Sequence, residues 1–192
     1  MQTTHSSLDM DDTNRQGLSR RRFLGLCAGG VAGMMLKPSY AAIQAEEKAI
    51  NLHNLHTGES LKQVYWAEGQ YQQDALAQIN KLLRDHRTGE IQPIDPQLLD
   101  VLHNLHENMD GKQAFHIISG YRSPKTNSML RGNSNGVAKK SLHMQGKAID
   151  LRLPGSDLKQ LHKAARSLRA GGVGYYAKSG FIHVDTGRVR YW

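Results

Sequence analysis

The chain has a single cysteine, Cys27, and none beyond it. An intrachain disulfide is therefore excluded, and cohesion must come from an apolar core, satisfied polar groups or a bound metal. Long apolar runs are missing too. The best one, Phe23 to Leu36, is rich in Gly and Ala and falls short of the roughly 20 residues that a bilayer-crossing helix needs. No run of Lys and Arg interleaved with aromatics is present, so the formal charge of +8 lacks the usual footprint of a nucleic-acid surface. Internal repeats and low-complexity linkers are absent. With 192 residues the chain has room for one ordinary domain and little more.

What is present begins with a leader. Ser19-Arg20-Arg21-Arg22-Phe23-Leu24 follows a polar stretch and opens the weakly apolar run, an arrangement that fits a twin-arginine (Tat) export address. Lys37 and Pro38 close the run, and Ser39-Tyr40-Ala41 offers small residues where signal peptidases require them. The expected division is a signal peptide over residues 1–41 and a periplasmic domain over residues 42–192. Cys27 lies inside the run behind Leu26, where a lipoprotein site wants a small residue, so it reads as a passive leader residue. The remainder stays basic. Outside the cytoplasm such a domain meets acidic polymers or anionic surfaces, and export sets nucleic acid aside as the natural partner.

Residues 49–56 alternate, Thr57-Gly58-Glu59 makes a turn, and Leu61 to Trp66 returns, which predicts a hairpin. Leucine-rich stripes predict helices over 71–86, 96–109 and 157–170, the second starting on Asp95-Pro96. Phe115–Ser119, Ala148–Leu153, Gly172–Tyr176 and Phe181–Asp185 read as strands. Residues 123–142 read as a polar surface segment with some helix around Asn127–Arg131. The fold class expected is α+β, with helices against a small, mainly antiparallel sheet.

Two segments carry the chemistry. In Ala148–Leu153, Ile149, Leu151 and Leu153 form the core set, leaving Asp150 on the open face. In Phe181–Asp185, Ile182 and Val184 are the core set, and Phe181, His183 and Asp185 share the opposite face. His143 comes from the loop before the first of these strands. Two imidazoles and one carboxylate form a three-ligand zinc set with the fourth position left for water. Spacing alone also permits a chance arrangement of two histidines and an aspartate.

Ser141-x-His143-x-x-Gly146-x-Ala148-x-Asp150, Gly172-Val173-Gly174-Tyr175-Tyr176 and Phe181-Ile182-His183-Val184-Asp185 together resemble the zinc D,D-peptidases. That group also holds lysostaphin-type enzymes, D-Ala-D-Ala metallopeptidases and the hedgehog fold. Ile118-Ser119-Gly120-Tyr121-Arg122-Ser123 is similar to the segment before the first metal histidine in such enzymes. Residues 51–59 and Val137-Ala138-Lys139-Lys140-Ser141 are particularly like Tat-exported murein endopeptidases. The resemblance covers about Leu52 to Trp192. It implies His143, Asp150 and His183 as ligands of Zn²⁺, peptide cross-links of peptidoglycan as substrate, and Arg122 facing the substrate or the oxyanion. Arg122 alternatively forms a salt bridge that holds its loop. The glutamate that relatives place three residues before the last ligand is Gly180 here. Asp185 is then the nearest carboxylate, either as general base or as the group that orients His183. His53 and His56 stand next in line for the base. A D,D-carboxypeptidase and a non-catalytic, zinc-stapled wall-binding module are the alternative functions.

Overall fold

The computed structural model describes residues 46–192 apart from Gly111, Ser134 and Asn135; the leader expected over residues 1–41 lies outside them. The predicted hairpin is present as β1 (Lys48–Asn54) and β2 (Ser60–Ala67), turning at Gly58 with φ 73°. A two-residue strand, β3 (Gln70–Tyr71), extends it. Helices α1 (Gln73–Leu82) and α2 (Pro96–Asn108) follow, then β4 (Phe115–Ser119) and α3 (Pro124–Asn133). The chain closes with β5 (Ala148–Arg152), α4 (Leu158–Ser167), β6 (Gly172–Tyr176), β7 (Phe181–Asp185) and β8 (Arg190–Tyr191).

The α+β class holds, but the sheet is larger than expected. The eight strands among the described residues form one sheet in the order β3-β2-β1-β4-β5-β7-β6-β8. Two of its pairings are parallel, β1 with β4 and β6 with β8. The first is parallel because α1 and α2 carry the chain across between the two strands, the connection that parallel neighbours require. One face supplies the core. Leu52 stands opposite Phe115, Ile117 opposite Leu151, and Leu151 opposite Ile182. Against them pack Ala75 and Ile79 of α1, Leu98, Leu99, Leu102 and Leu105 of α2, and Leu161 and Ala165 of α4.

Local chemistry sets the element ends. Asp95 caps α2 by accepting from the Gln97 N–H at 3.0 Å, and Asp157 caps α4 through Lys159 and Gln160. Helix α1 stops at Leu82, short of the predicted 86, because the Leu83 carbonyl accepts from Tyr121 N–H at 2.8 Å instead of continuing the helix. Beyond it Asp85 is buried and its Oδ2 accepts from Ser123 N–H at 2.8 Å, where α3 begins. Chain ends of α1 and α3 are thereby tied together. Residues Leu142–Gln145 form a short 3₁₀ turn, capped by the Ser141 hydroxyl at its start and by Gly146 at its end. Gly146 has φ 67°, and any β-carbon there would land on the Pro93 carbonyl. That close approach requires glycine.

Candidate metal centre

Strands β5 and β7 are antiparallel neighbours in a register that sets Asp150 opposite His183. Alternation turns both away from the core set, as the sequence predicts. The 3₁₀ turn brings His143 over the pair. His143 Nε2 lies 3.2 Å from His183 Nδ1 and 3.3 Å from Asp150 Oδ1, and His183 Nδ1 lies 2.9 Å from the same oxygen. One donor atom from each of the three residues falls within 4.8 Å of the others. The face that carries them is open only in outline: His143, Asp150 and His183 are all buried.

The outward nitrogens decide what this cluster can hold. His143 Nδ1–H donates to the Gly120 carbonyl at 2.8 Å, which leaves an Nε2 lone pair facing inward. His183 Nε2–H donates to Asp185 Oδ2 at 2.8 Å, which leaves Nδ1 facing inward. Two imidazole lone pairs and a carboxylate oxygen thus converge. Such a set repels itself unless a positive charge sits among its members. Burial by itself would lower the His183 pKa, but the flanking Asp150 and Asp185 carboxylates outweigh it and raise it. Asp150 shows the reverse balance: burial would raise its pKa, and the two histidines hold it well below the carboxylate range. A proton on His183 is one way to supply the charge, and a divalent cation bound by N, N and O is the other. The pattern of each ligand histidine tied from behind by an oxygen acceptor is the arrangement metal ligands need.

Asp185 does not line the cleft. It is completely buried. Besides His183 it accepts from Gly172 N–H (3.1 Å), Gly187 N–H (2.9 Å) and both Arg190 terminal nitrogens (2.9 and 2.7 Å). Burial would raise its pKa, but these donors hold it well below the ordinary carboxylate range. Arg122, itself buried for the most part, reaches Asp150 Oδ2 at 3.4 Å and the Ser119 hydroxyl at 3.3 Å. Its Nε is buried without a partner among the described residues. Burial draws the Arg122 pKa down and Asp150 opposes this.

Around the cluster is a cleft of about 630 Å³ lined by Arg122, Val137, Ala138, Lys140, Leu142, Tyr176, Phe181, Arg190 and Trp192 among others. A family model described as peptidoglycan L,D-endopeptidase MepK matches residues 42–192. The chain belongs to that family. The MepK of Escherichia coli strain K12 is 42% identical over 189 residues, covering 96% of this chain and all of the relative. The probable MepK of Haemophilus influenzae is 39% identical over 179 residues, covering 91% of this chain and 95% of the relative.

Among the described residues, the remaining histidines stay outside the cluster. His53 meets the Ser60 hydroxyl at 2.8 Å and packs near His116, and His56 stacks on His86 with centroids 3.8 Å apart. His103 and His106 pair with the carbonyls of Ala49 and Gln113. Arg190, Trp192 and the Gly120 carbonyl are site features that the sequence reading missed. Strand β8 is too short to show a period, and a backbone carbonyl has no side-chain signature.

Proposed function

We propose that this chain is a peptidoglycan endopeptidase that hydrolyses peptide cross-links between stems with a zinc ion held by His143, Asp150 and His183. The observation that carries the reading is the inward convergence of two imidazole lone pairs and one carboxylate oxygen within 4.8 Å, buried at the floor of a cleft. A set of two nitrogens and one oxygen from three side chains matches catalytic zinc sites, which keep a position open. When bound, zinc supplies Lewis acidity that polarises the scissile carbonyl and acidifies water.

The chain's own groups supply the rest. Gly120 and Asp185 fix the tautomers and ring directions of the two histidines. Arg122 lines the cleft beside Asp150, and its guanidinium donates to the substrate carbonyl oxygen as negative charge develops on it. Asp185 acts through His183 as a positioning residue, since a carboxylate so fully occupied and buried has no route to a substrate proton. The family match beginning at residue 42 supports a processed domain of residues 42–192, exported to the periplasm by the twin-arginine leader over residues 1–41. Peptidoglycan lies in that compartment.

Incubating the purified protein with isolated murein, with and without chelator, tests the proposal. Cross-linked dimers should become monomers, and the chelator should stop the conversion until zinc is restored. Release of terminal D-Ala alone would make the protein a carboxypeptidase. No product with zinc present would leave a wall-binding module.

A further inference from the structure

Register places the site residues in one row across four strands. Ser119 of β4 stands opposite Asp150 of β5, Asp150 opposite His183 of β7, and His183 opposite Gly174 of β6. Arg122 bonds to Ser119 and Asp150 at one end of this row. The Trp192 indole sits on Gly174 at the other, where a β-carbon would stand 2.6 Å from the ring. The metal cluster is thus bracketed by a guanidinium and an indole. Three strand spacings of about 4.8 Å separate the ends of the row, roughly the length of four extended residues.

Trp192 is 48% exposed, yet its ring is held firmly. Nε1–H donates to the Tyr176 hydroxyl at 2.9 Å, and the Arg190 guanidinium lies 4.9 Å from the ring centroid. The backbone N–H and carbonyl of Trp192 pair with Val173 and Tyr175. Its centroid is 5.3 Å from that of His183. Close to half of the residue nevertheless stays exposed, and the ring lines the cleft beside a buried metal-type ligand, so it offers a rigid apolar surface there. Rigid aromatic surface of this kind gives contact area with little entropy to lose.

We propose that Trp192 is a specificity-determining residue that packs against the aliphatic part of the substrate residue on the His183 side of the scissile bond. The substrate peptide then crosses the strands from Arg122 to Trp192. This rests on the peptide-hydrolase reading above. The contact is made in the ground state and in the transition state alike, so it acts on KM rather than on kcat.

Steady-state kinetics on cross-linked muropeptide dimers test it, with zinc content measured on the same samples. Trp192→Ala should raise KM about 10–100-fold, the range expected for losing one apolar pocket contact, with kcat and bound zinc close to the parent values. Trp192→Phe should recover most of the loss. An unchanged KM in Trp192→Ala overturns the proposal, and so does a fall in kcat and zinc content at constant KM, because the ring would then only support His183. A second measurement does not depend on turnover or on Trp192→Ala folding. The chain has two tryptophans, so Trp66→Phe leaves Trp192 as the sole reporter. Titrating that variant with muropeptide monomers should shift its emission to the blue, and unshifted emission at saturating monomer overturns the proposal. A parent protein inactive on murein would defeat the hydrolase reading instead.

Discussion

At the scale of single residues the site is a matter of where protons sit. Each ligand histidine has one nitrogen committed to an oxygen behind it, Gly120 for His143 and Asp185 for His183, so the other nitrogen faces the cluster. Replacing either His143 or His183 by Ala leaves two ligands, and two hold zinc poorly. Both variants should lose metal and activity together, as elemental analysis on the purified proteins checks. One zinc per chain in both would refute the assignment. Asp185→Asn probes the layer behind. An amide oxygen can still accept from His183 Nε2–H, but its NH₂ must face Arg190 or the Gly172 and Gly187 N–H groups. The expected result is a loss of about 10–100-fold with weakened zinc retention and with the acidic limb of the pH–rate profile preserved. A general base would behave otherwise: full zinc occupancy, a loss of about 10²–10⁴ and disappearance of that limb.

Among the elements, the joint between α1 and α3 matters most to the site, because residues 120–123 between β4 and α3 carry both Arg122 and the Gly120 carbonyl. Asp85 holds that joint through the N–H groups of Ser123 and Arg87. Burial would raise its pKa, yet hydrogen bonds from Thr126, Ser123 and Arg87 hold it well below the carboxylate range. A folded pKa below the unfolded one contributes stability above the unfolded value of about 3.9. That contribution is lost as pH falls further towards the folded value. Asp85→Ala should therefore cost about 2–4 kcal/mol near neutral pH, since it leaves buried donors unpaired. The deficit relative to the parent should shrink in acid, as urea denaturation at pH 7 and pH 3 checks. An equal deficit at both pH values would mean that the carboxylate is not what ties the joint.

For the whole molecule the matter is delivery. Arg20 and Arg21 are the pair a Tat receptor reads in the proposed leader. Changing both to Lys keeps the charge and should leave precursor in the cytoplasm, as fractionation and immunoblotting would reveal; undiminished periplasmic protein from the double variant would sink the idea. Among the described residues no helix is long and apolar enough to cross a membrane. The domain holds together without a disulfide through one core shared by α1, α2, α4 and one face of the sheet.

How much of this was legible beforehand follows from the range of the interactions involved. Alternation is local, so Ile149 and Leu151 against Asp150, and Ile182 and Val184 against His183, could be assigned to faces from neighbouring residues alone. The same holds for the Asp95-Pro96 helix start and for the absence of any disulfide. Residues 143, 150 and 183 could be grouped by motif, but their distances could not be read. Tertiary structure decided the remainder. Whether Asp185 meets water depends on Arg190 and on the backbone of Gly172, and which nitrogen of His143 turns inward depends on a carbonyl 23 residues away. Period-two patterning assigns a side chain to a face, whereas its protonation and its exposure are set by the groups that distant segments bring against that face.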